Sequence, residues 1–181
     1  MSAKIRLGRV LLVALLTSRI AFAGDTTRPT RLTLSNGSNE VRVQDIKILV
    51  IKAFVSTGNA HSFETYTSFT VPGDPHEDWQ QILVDNPDGD AESFRSIESA
   101  DSNVQSVAMF RENNSLSVVQ ARKIGLKPPD LYLKNARVMF TVYRFNGDAR
   151  DYPRFVRERT GTSTERYLNA SDALDKEFLR R

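Results

Sequence analysis

Alternation of apolar and polar residues runs through most of the chain and predicts short β-strands. Residues 63–71 are rich in aromatic and β-branched side chains, and in residues 136–145 the apolar Val138, Phe140 and Val142 share one parity. Turn signals built from Gly, Asn, Asp and Pro separate these runs. The pattern predicts an all-β fold, an antiparallel β-sandwich or barrel of about seven or eight strands.

Further strands are predicted at 31–34, 41–55, 79–84, 104–111 and 116–124. A parity change at Gln44 and Asp45 predicts a bulge or bend within the second of these. Asn36 and Gly37 predict a hairpin turn. Residues 91–101 fit either a helical turn or a polar loop, and residues 148–163 are expected to be irregular.

The end of the chain changes to helical spacing. Tyr167, Leu168, Leu174 and Phe178 can share one face of a short C-terminal helix. Asp172 can instead cap a shorter helix that begins at the next residue. Because no internal repeat or linker divides the chain, residues 31–181 are expected to form a single β domain that includes this helix.

The N-terminus has the pattern of a secretory signal peptide. Basic residues precede the apolar run 10–16, and Ala21-Phe22-Ala23 forms a small-x-small cleavage box. Arg19 interrupts the apolar stretch well before the roughly 20 residues that a membrane span needs. We expect cleavage after Ala23, a flexible leader at 24–30, and a periplasmic or secreted mature chain that is not inserted in a membrane.

Removal of the signal peptide would also change the net charge of the chain. The whole chain has 25 basic and 22 acidic residues and a pI near 9.3, but the four basic residues within 1–23 leave with the signal peptide. The mature chain then has 21 basic against 22 acidic residues, so nucleic acid is not an expected partner. The chain has no cysteine, and a domain of this length buries enough core without disulfides.

The usual catalytic signatures are absent from the sequence. There is no Cys, no Gly-x-Ser-x-Gly, no Ser-x-x-Lys and no His-Glu-x-x-His, and His61 and His76 are the only histidines. We therefore expect a protein without enzymatic activity and without a cofactor. A carboxylate-based or metal-assisted hydrolase stays open as the alternative, because 22 acidic residues offer many pairs.

Two acidic loops are weak candidates for cation binding. Asp74, His76 and Asp78 lie together in the turn-rich segment 72–78. The next loop contains further carboxylates, at Asp85, Asp88, Asp90 and Glu92. Both sequences are also typical of solvated turns, and neither matches an EF-hand, so no metal site is expected.

Seven arginines fall within residues 137–166, at Arg137, Arg144, Arg150, Arg154, Arg157, Arg159 and Arg166. Arginine clusters receive anions or acidic partners. Here acidic residues such as Glu158 and Glu165 are interspersed, which favours a mixed, salt-bridged surface.

The candidate ligand-binding or partner-binding residues are His61, Phe63, Tyr66, Glu77 and Trp79. The histidine lies at a turn that enters an aromatic strand, and the tryptophan follows an acidic loop. Such a histidine can hydrogen-bond a ligand or can fix the turn through backbone groups, and the sequence does not decide between them.

The signal peptide, the cysteine-free size, the segment Gly58-Asn59-Ala60-His61-Ser62-Phe63 and the strand at Trp79 resemble the small exported carbapenem self-resistance (CarG-like) proteins of enterobacterial antibiotic producers. The resemblance spans about residues 40–145. It implies a periplasmic β-sandwich or barrel, a homodimer, and protection against a β-lactam without its hydrolysis.

The residues and the resemblance together favour a non-enzymatic periplasmic binding or protective protein. It would act through a surface patch or a dimer, on a protein partner or a small molecule. Besides the hydrolase, a secretion or adhesion accessory protein that offers a free strand edge remains an alternative.

Overall fold

The structure, a computed structural model, describes residues 29–99, 102–112, 114–127, 133–148 and 152–179. The predicted signal peptide, Arg150 and the first part of the predicted leader lie outside the described residues. Within them the chain forms twelve strands and a short C-terminal helix. The predicted all-β class is confirmed, and seven of these strands are seven or more residues long.

The strands are β1 Thr30–Arg31, β2 Gly37–Val43, β3 Ile46–Val55, β4 Phe63–Val71, β5 Gln80–Gln81, β6 Leu83–Val84, β7 Phe94–Arg95, β8 Ile97–Ser99, β9 Ser102–Glu112, β10 Ser115–Ile124, β11 Arg137–Asn146 and β12 Arg154–Thr162. The helix α1, Ala170–Ala173, continues as a π-helical turn over Leu174–Phe178.

The strands are divided between two sheets. The seven-stranded sheet has the order β1-β9-β10-β11-β12-β6, and β8 also pairs with β9. The five-stranded sheet has the order β2-β3-β4-β5, and β7 also pairs with β4. All of these pairs are antiparallel except β6 with β12, which is parallel.

The main core lies between the two sheets, because each long strand places alternate apolar side chains inward. Ile48 and Val50 of β3 face it from one sheet, and Val118 of β10 faces it from the other. The ring of Phe155 packs edge-on against Phe94, with 5.3 Å between the ring centroids. The fold is therefore a sandwich whose two halves share one apolar layer.

Residues 79–84, predicted as one strand, instead cross from one sheet to the other. Gln80–Gln81 pairs with β4 in the five-stranded sheet, whereas Leu83–Val84 pairs with β12 in the seven-stranded sheet. Ile82, only 1% exposed, stands between them, and its N–H donates to the Ser68 carbonyl at 2.8 Å. Burial of this side chain explains the apolar pattern that resembled a single strand.

Two turn predictions near the N-terminus are wrong. The run 41–55 is not one bent strand, since Gln44 takes a positive φ of 54° and reverses the chain into the β2–β3 hairpin. Asn36 and Gly37 do not form a hairpin turn, because Gly37 begins β2 and β1 pairs with β9. The alternating pattern found the strands but not their connections.

Two other segments contain strands that the pattern did not predict. Residues 91–101, expected to be a helical turn or loop, include β7 and β8. Residues 148–163, expected to be irregular, include β12, which pairs with β11 along most of its length. Only Phe155 of β12 is fully buried, so the strand lacks a strong apolar signal.

The C-terminal helix packs on the outer face of the seven-stranded sheet. Ala170, Ala173 and Leu174 are fully buried there against Phe140 and other side chains of that sheet. The helix begins at Ala170, so Asp172 lies inside it and does not cap it. No helix among the described residues is long and apolar enough to span a bilayer.

Candidate binding surfaces

The outer face of the five-stranded sheet is largely uncovered. It is formed by the odd-numbered positions of β3 and β4, where Leu49 pairs with Phe69 and Ile51 pairs with Thr67. We call these four residues, together with Trp79, the open face. Their neighbours Val50 and Ser68 face the core and are buried, whereas Ile51 is 37% exposed.

Trp79 extends the open face at one end. It lies just before β5, and its ring contacts that of Phe69 with 6.2 Å between centroids and an angle of 54° between the planes. The indole is still 55% exposed. An aromatic side chain in this state presents a large apolar surface to a partner without needing to leave a core.

Phe63 and His61 lie at the opposite end of β4. The guanidinium carbon of Arg95 stacks on the Phe63 ring at 3.4 Å from the centroid, as expected from the pairing of β7 with β4. The side-chain oxygen of Asn59 accepts a hydrogen bond from the His61 N–H at 2.9 Å and another from the Thr57 hydroxyl at 2.6 Å. The backbone of His61 therefore helps to fix this turn, while its side chain is exposed.

Tyr66 points inward and belongs to the core between the sheets. Its hydroxyl donates a hydrogen bond to Glu64, whose carboxylate also pairs with Lys52 at 2.7 Å. Burial and the Glu64 carboxylate both raise the pKa of Tyr66. Burial also works against ionisation of Glu64, but the hydrogen bonds from Lys52 and Tyr66 outweigh it and lower the pKa of Glu64.

The structure thus divides the five candidate binding residues into three places. Glu77 and Trp79 lie near one end of β4, His61 and Phe63 lie near the other end, and Tyr66 lies inside. Phe63 and Phe69 are separated by six residues of strand, or about 20 Å. Their role in binding stays a prediction, and only Phe63 and Trp79 share the outer side of this sheet.

The first acidic loop holds its candidate cation ligands on the surface. Asp74, His76 and Asp78 are all exposed, and the Asp74 carboxylate accepts a hydrogen bond from the His76 N–H at 2.9 Å. A second backbone hydrogen bond, from Glu77 to the Asp74 carbonyl, closes the turn at 3.2 Å. In the part of the chain that the structure describes, no three His, Asp or Glu side chains are grouped as metal ligands.

Carboxylates of the second acidic loop contact β12. Asp90 pairs with Arg154 at 3.7 Å, and Asp85 accepts a hydrogen bond from the Arg157 N–H at 3.4 Å. On the same strand, Glu158 accepts two hydrogen bonds from Arg144 of β11, at 3.1 and 3.3 Å. These contacts agree with a mixed, salt-bridged surface around the arginines.

A groove on the seven-stranded sheet was not predicted. It has a volume of about 670 Å³ and lies beside the C-terminal helix, between Phe178 and the outer face of the sheet. The sequence signal was Ser117, a hydroxyl-bearing residue between the apolar Leu116 and Val118 of β10. Its place next to a groove depends on strand register and on β12, which the pattern missed.

Comparison with known proteins shows a likeness at the level of the fold. Neither the protein-family models nor the curated proteins match this sequence. Among solved structures, the fold is similar to the crystal structure of CarG, with a TM-score of 0.67 and 23% sequence identity. The match covers 81% of this chain and 94% of that chain. The resemblance predicted from the sequence is therefore confirmed for the fold.

Proposed function

We propose that the protein is exported to the periplasm and protects the cell against a carbapenem-type β-lactam without hydrolysing it. The sequence resemblance to the carbapenem self-resistance proteins supports this proposal, and so does the likeness of the fold to CarG. Within the structure, the observation that carries it is the open face, where Trp79 and Ile51 leave apolar surface uncovered.

An uncovered apolar surface is unfavourable in water. When a partner covers exposed apolar side chains, each Å² of apolar surface removed from water contributes a favourable free energy of about 25 cal/mol. Contiguous patches of this kind on soluble proteins mark interaction sites. On the open face, Trp79 contacts Phe69, and Phe69 pairs with Leu49 across the ladder, so the surface is continuous.

Replacing Trp79 tests the proposal directly. The full-length chain is expressed in a carbapenem-sensitive Gram-negative host, and the minimum inhibitory concentration is measured. The wild-type chain is expected to raise it, and Trp79→Ala is expected to return it to the value of the empty vector because the largest exposed contact is gone. Phe54→Ala is the matched control, since Phe54 is 53% exposed on the same sheet but lies outside the open face.

Two outcomes contradict the proposal. In the first, the wild-type chain gives no protection although it is found folded in the periplasm. In the second, the purified protein hydrolyses the carbapenem at a rate that accounts for the protection, which would favour the hydrolase. Full protection by folded Trp79→Ala would remove the open face from the mechanism.

We also propose that a second copy of the chain covers the open face. A two-fold axis would place the open face of one copy against the open face of the other, so the apolar residues of both would be buried together, as in other homodimer interfaces. Light scattering on the purified protein measures the mass. A dimer at micromolar concentration is the expected result, and a monomer contradicts this part of the proposal.

A further inference from the structure

The groove on the seven-stranded sheet has the size and lining of a ligand site. Its volume of about 670 Å³ lies within the usual range of about 300–1,000 Å³ for small-molecule pockets. The floor is apolar and comes from neighbouring strands, with Val119 of β10 and Phe140 and Val142 of β11. Phe178 of the C-terminal helix forms one wall, with its centroid 5.6 Å from that of Phe140.

That wall is held in place by polar contacts. Glu177, next to Phe178, accepts hydrogen bonds from the N–H groups of Thr164 and Glu165 at 2.8 and 2.9 Å. Burial disfavours its charge, but these hydrogen bonds outweigh burial and lower the pKa of Glu177. The groove is therefore a preformed concavity, which reduces the ordering cost of binding.

One polar group in the groove has no partner. Ser117 is only 6% exposed and lines the groove, and its hydroxyl makes no hydrogen bond within the described residues. A buried hydroxyl without a hydrogen-bond partner carries a cost in free energy. Because the hydroxyl oxygen is itself buried, a ligand atom reaches it once the Ser117 side chain turns toward the groove, and the hydrogen bond then removes this cost.

The positive charge of the rim is uneven. Ser117 lies opposite Arg144 in the ladder, but Arg144 is neutralised by Glu158. Arg159 lies opposite Val142, with its guanidinium carbon 6.0 Å from the Phe178 ring centroid. Among the described side chains no carboxylate lies within ion-pair distance of Arg159. The acidic Glu112 lies at the far edge of the groove, on β9, three strands away from the strand of Arg159.

We propose that this groove binds an amphipathic carboxylate. Its apolar body packs on Val119, Phe140 and Phe178, while its carboxylate lies between the Ser117 hydroxyl and the Arg159 guanidinium. Both groups donate hydrogen bonds, and a carboxylate accepts them most strongly when the donor is charged. The site lies on the opposite sheet from the open face and does not depend on the proposed function.

Calorimetry with naphthaleneacetate and its neutral analogue naphthaleneethanol tests the proposal on the purified protein. The carboxylate is expected to bind saturably, and Arg159→Gln should weaken it about tenfold, since a hydrogen bond to a charged group is worth about 1.5–3 kcal/mol. The same substitution should leave the weaker binding of the alcohol unchanged. Equal affinity for acid and alcohol in the wild type overturns the carboxylate assignment.

Ser117→Ala has a matched control in Ser68→Ala. Both hydroxyls are buried and without a hydrogen-bond partner in the described chain, but Ser68 faces the core between the sheets. Ser117→Ala should weaken the binding of naphthaleneacetate about fivefold, which is the effect expected from the loss of one neutral hydrogen bond. Ser68→Ala should not change the affinity. Equal effects of the two substitutions contradict a role of Ser117 in binding.

Gly161→Leu tests the position of the site. A Cβ at Gly161, which lines the groove, meets no atom within 4 Å, and its φ is not positive, so a leucine fills the groove without backbone strain. Gly73→Leu is the control, because Gly73 is equally open and lies in the loop before β5. Loss of binding in Gly161→Leu alone is expected. Unchanged binding in folded Gly161→Leu, or no saturable binding by the wild type, overturns the proposal.

Discussion

The outer faces of both sheets carry apolar side chains, but the chain itself covers only one of the two faces. On the seven-stranded sheet, Phe140 and its apolar neighbours are buried beneath the C-terminal helix, whose Leu174 is fully buried. On the five-stranded sheet, Leu49, Ile51 and Phe69 have no such cover within the described residues. An apolar face in a strand pattern therefore predicts that something covers it, but not whether the same chain does so.

The largest expected effect comes from breaking the covered face. Leu174→Ala removes a fully buried side chain at the contact between helix and sheet, and we expect it to lower the free energy of unfolding by about 2–5 kcal/mol. Urea denaturation measures the change. Leu168→Ala, at a position that is 37% exposed, is the control and should change it by less than about 0.5 kcal/mol. Equal effects would mean that the helix does not stabilise the sheet.

A smaller effect is expected where the five-stranded sheet is held by polar contacts. Glu64→Gln weakens the charged bonds to Lys52 and Tyr66, and it should cost about 1–2 kcal/mol at pH 7. Because folding lowers the pKa of Glu64, its contribution is present above the unfolded pKa of about 4.3 and is lost as the pH falls through the folded value.

Midpoints of urea denaturation measured between pH 7 and pH 3 test whether this contribution to stability is lost as the pH falls. The wild type should lose more stability on acidification than Glu64→Gln does, so the two curves should converge at low pH. The exposed Glu92→Gln serves as the control and should follow the wild type. Parallel curves for wild type and Glu64→Gln would show that this carboxylate does not contribute.

The smallest effect on stability is expected on the open face. Ile51→Lys should change the free energy of unfolding of the isolated chain by less than about 0.5 kcal/mol, because the side chain is already 37% exposed. The same substitution should convert a dimer to a monomer by light scattering, since two like charges would meet at the interface. A large loss of stability with no change in mass would place Ile51 in a covered surface of its own chain.

Much of the fold could be predicted because several strands are apolar runs that lie between turn signals. Residues 63–71 match β4 at both ends, and the predicted strands at 104–111 and 116–124 lie within β9 and β10. The pattern failed at β12, where Phe155 is the fully buried residue and most other positions are exposed. It also failed at Ile82, since a buried residue between two sheets gives the same signal as a strand.

The candidate surfaces were predictable only in part. The position of Trp79 directly after an acidic loop is visible in the sequence, and it made this residue a candidate. The inward direction of Tyr66 and the groove at Ser117 depend on which strands pair and in which register, and alternation alone does not contain that information.

The parallel pairing of β6 with β12 has a consequence for how the chain folds. Leu83 is aligned with Arg154, so this contact joins positions 71 residues apart and cannot form before β12 has been synthesised. Contacts of such long range slow folding, because the entropy of closing the intervening loop is lost before the contact stabilises anything. Until then, Arg154 and Phe155 at the start of the β12 edge are unpaired on this side and can pair with another chain. The two residues of β6 therefore protect only the start of β12 from edge-to-edge association, and they do so late in folding.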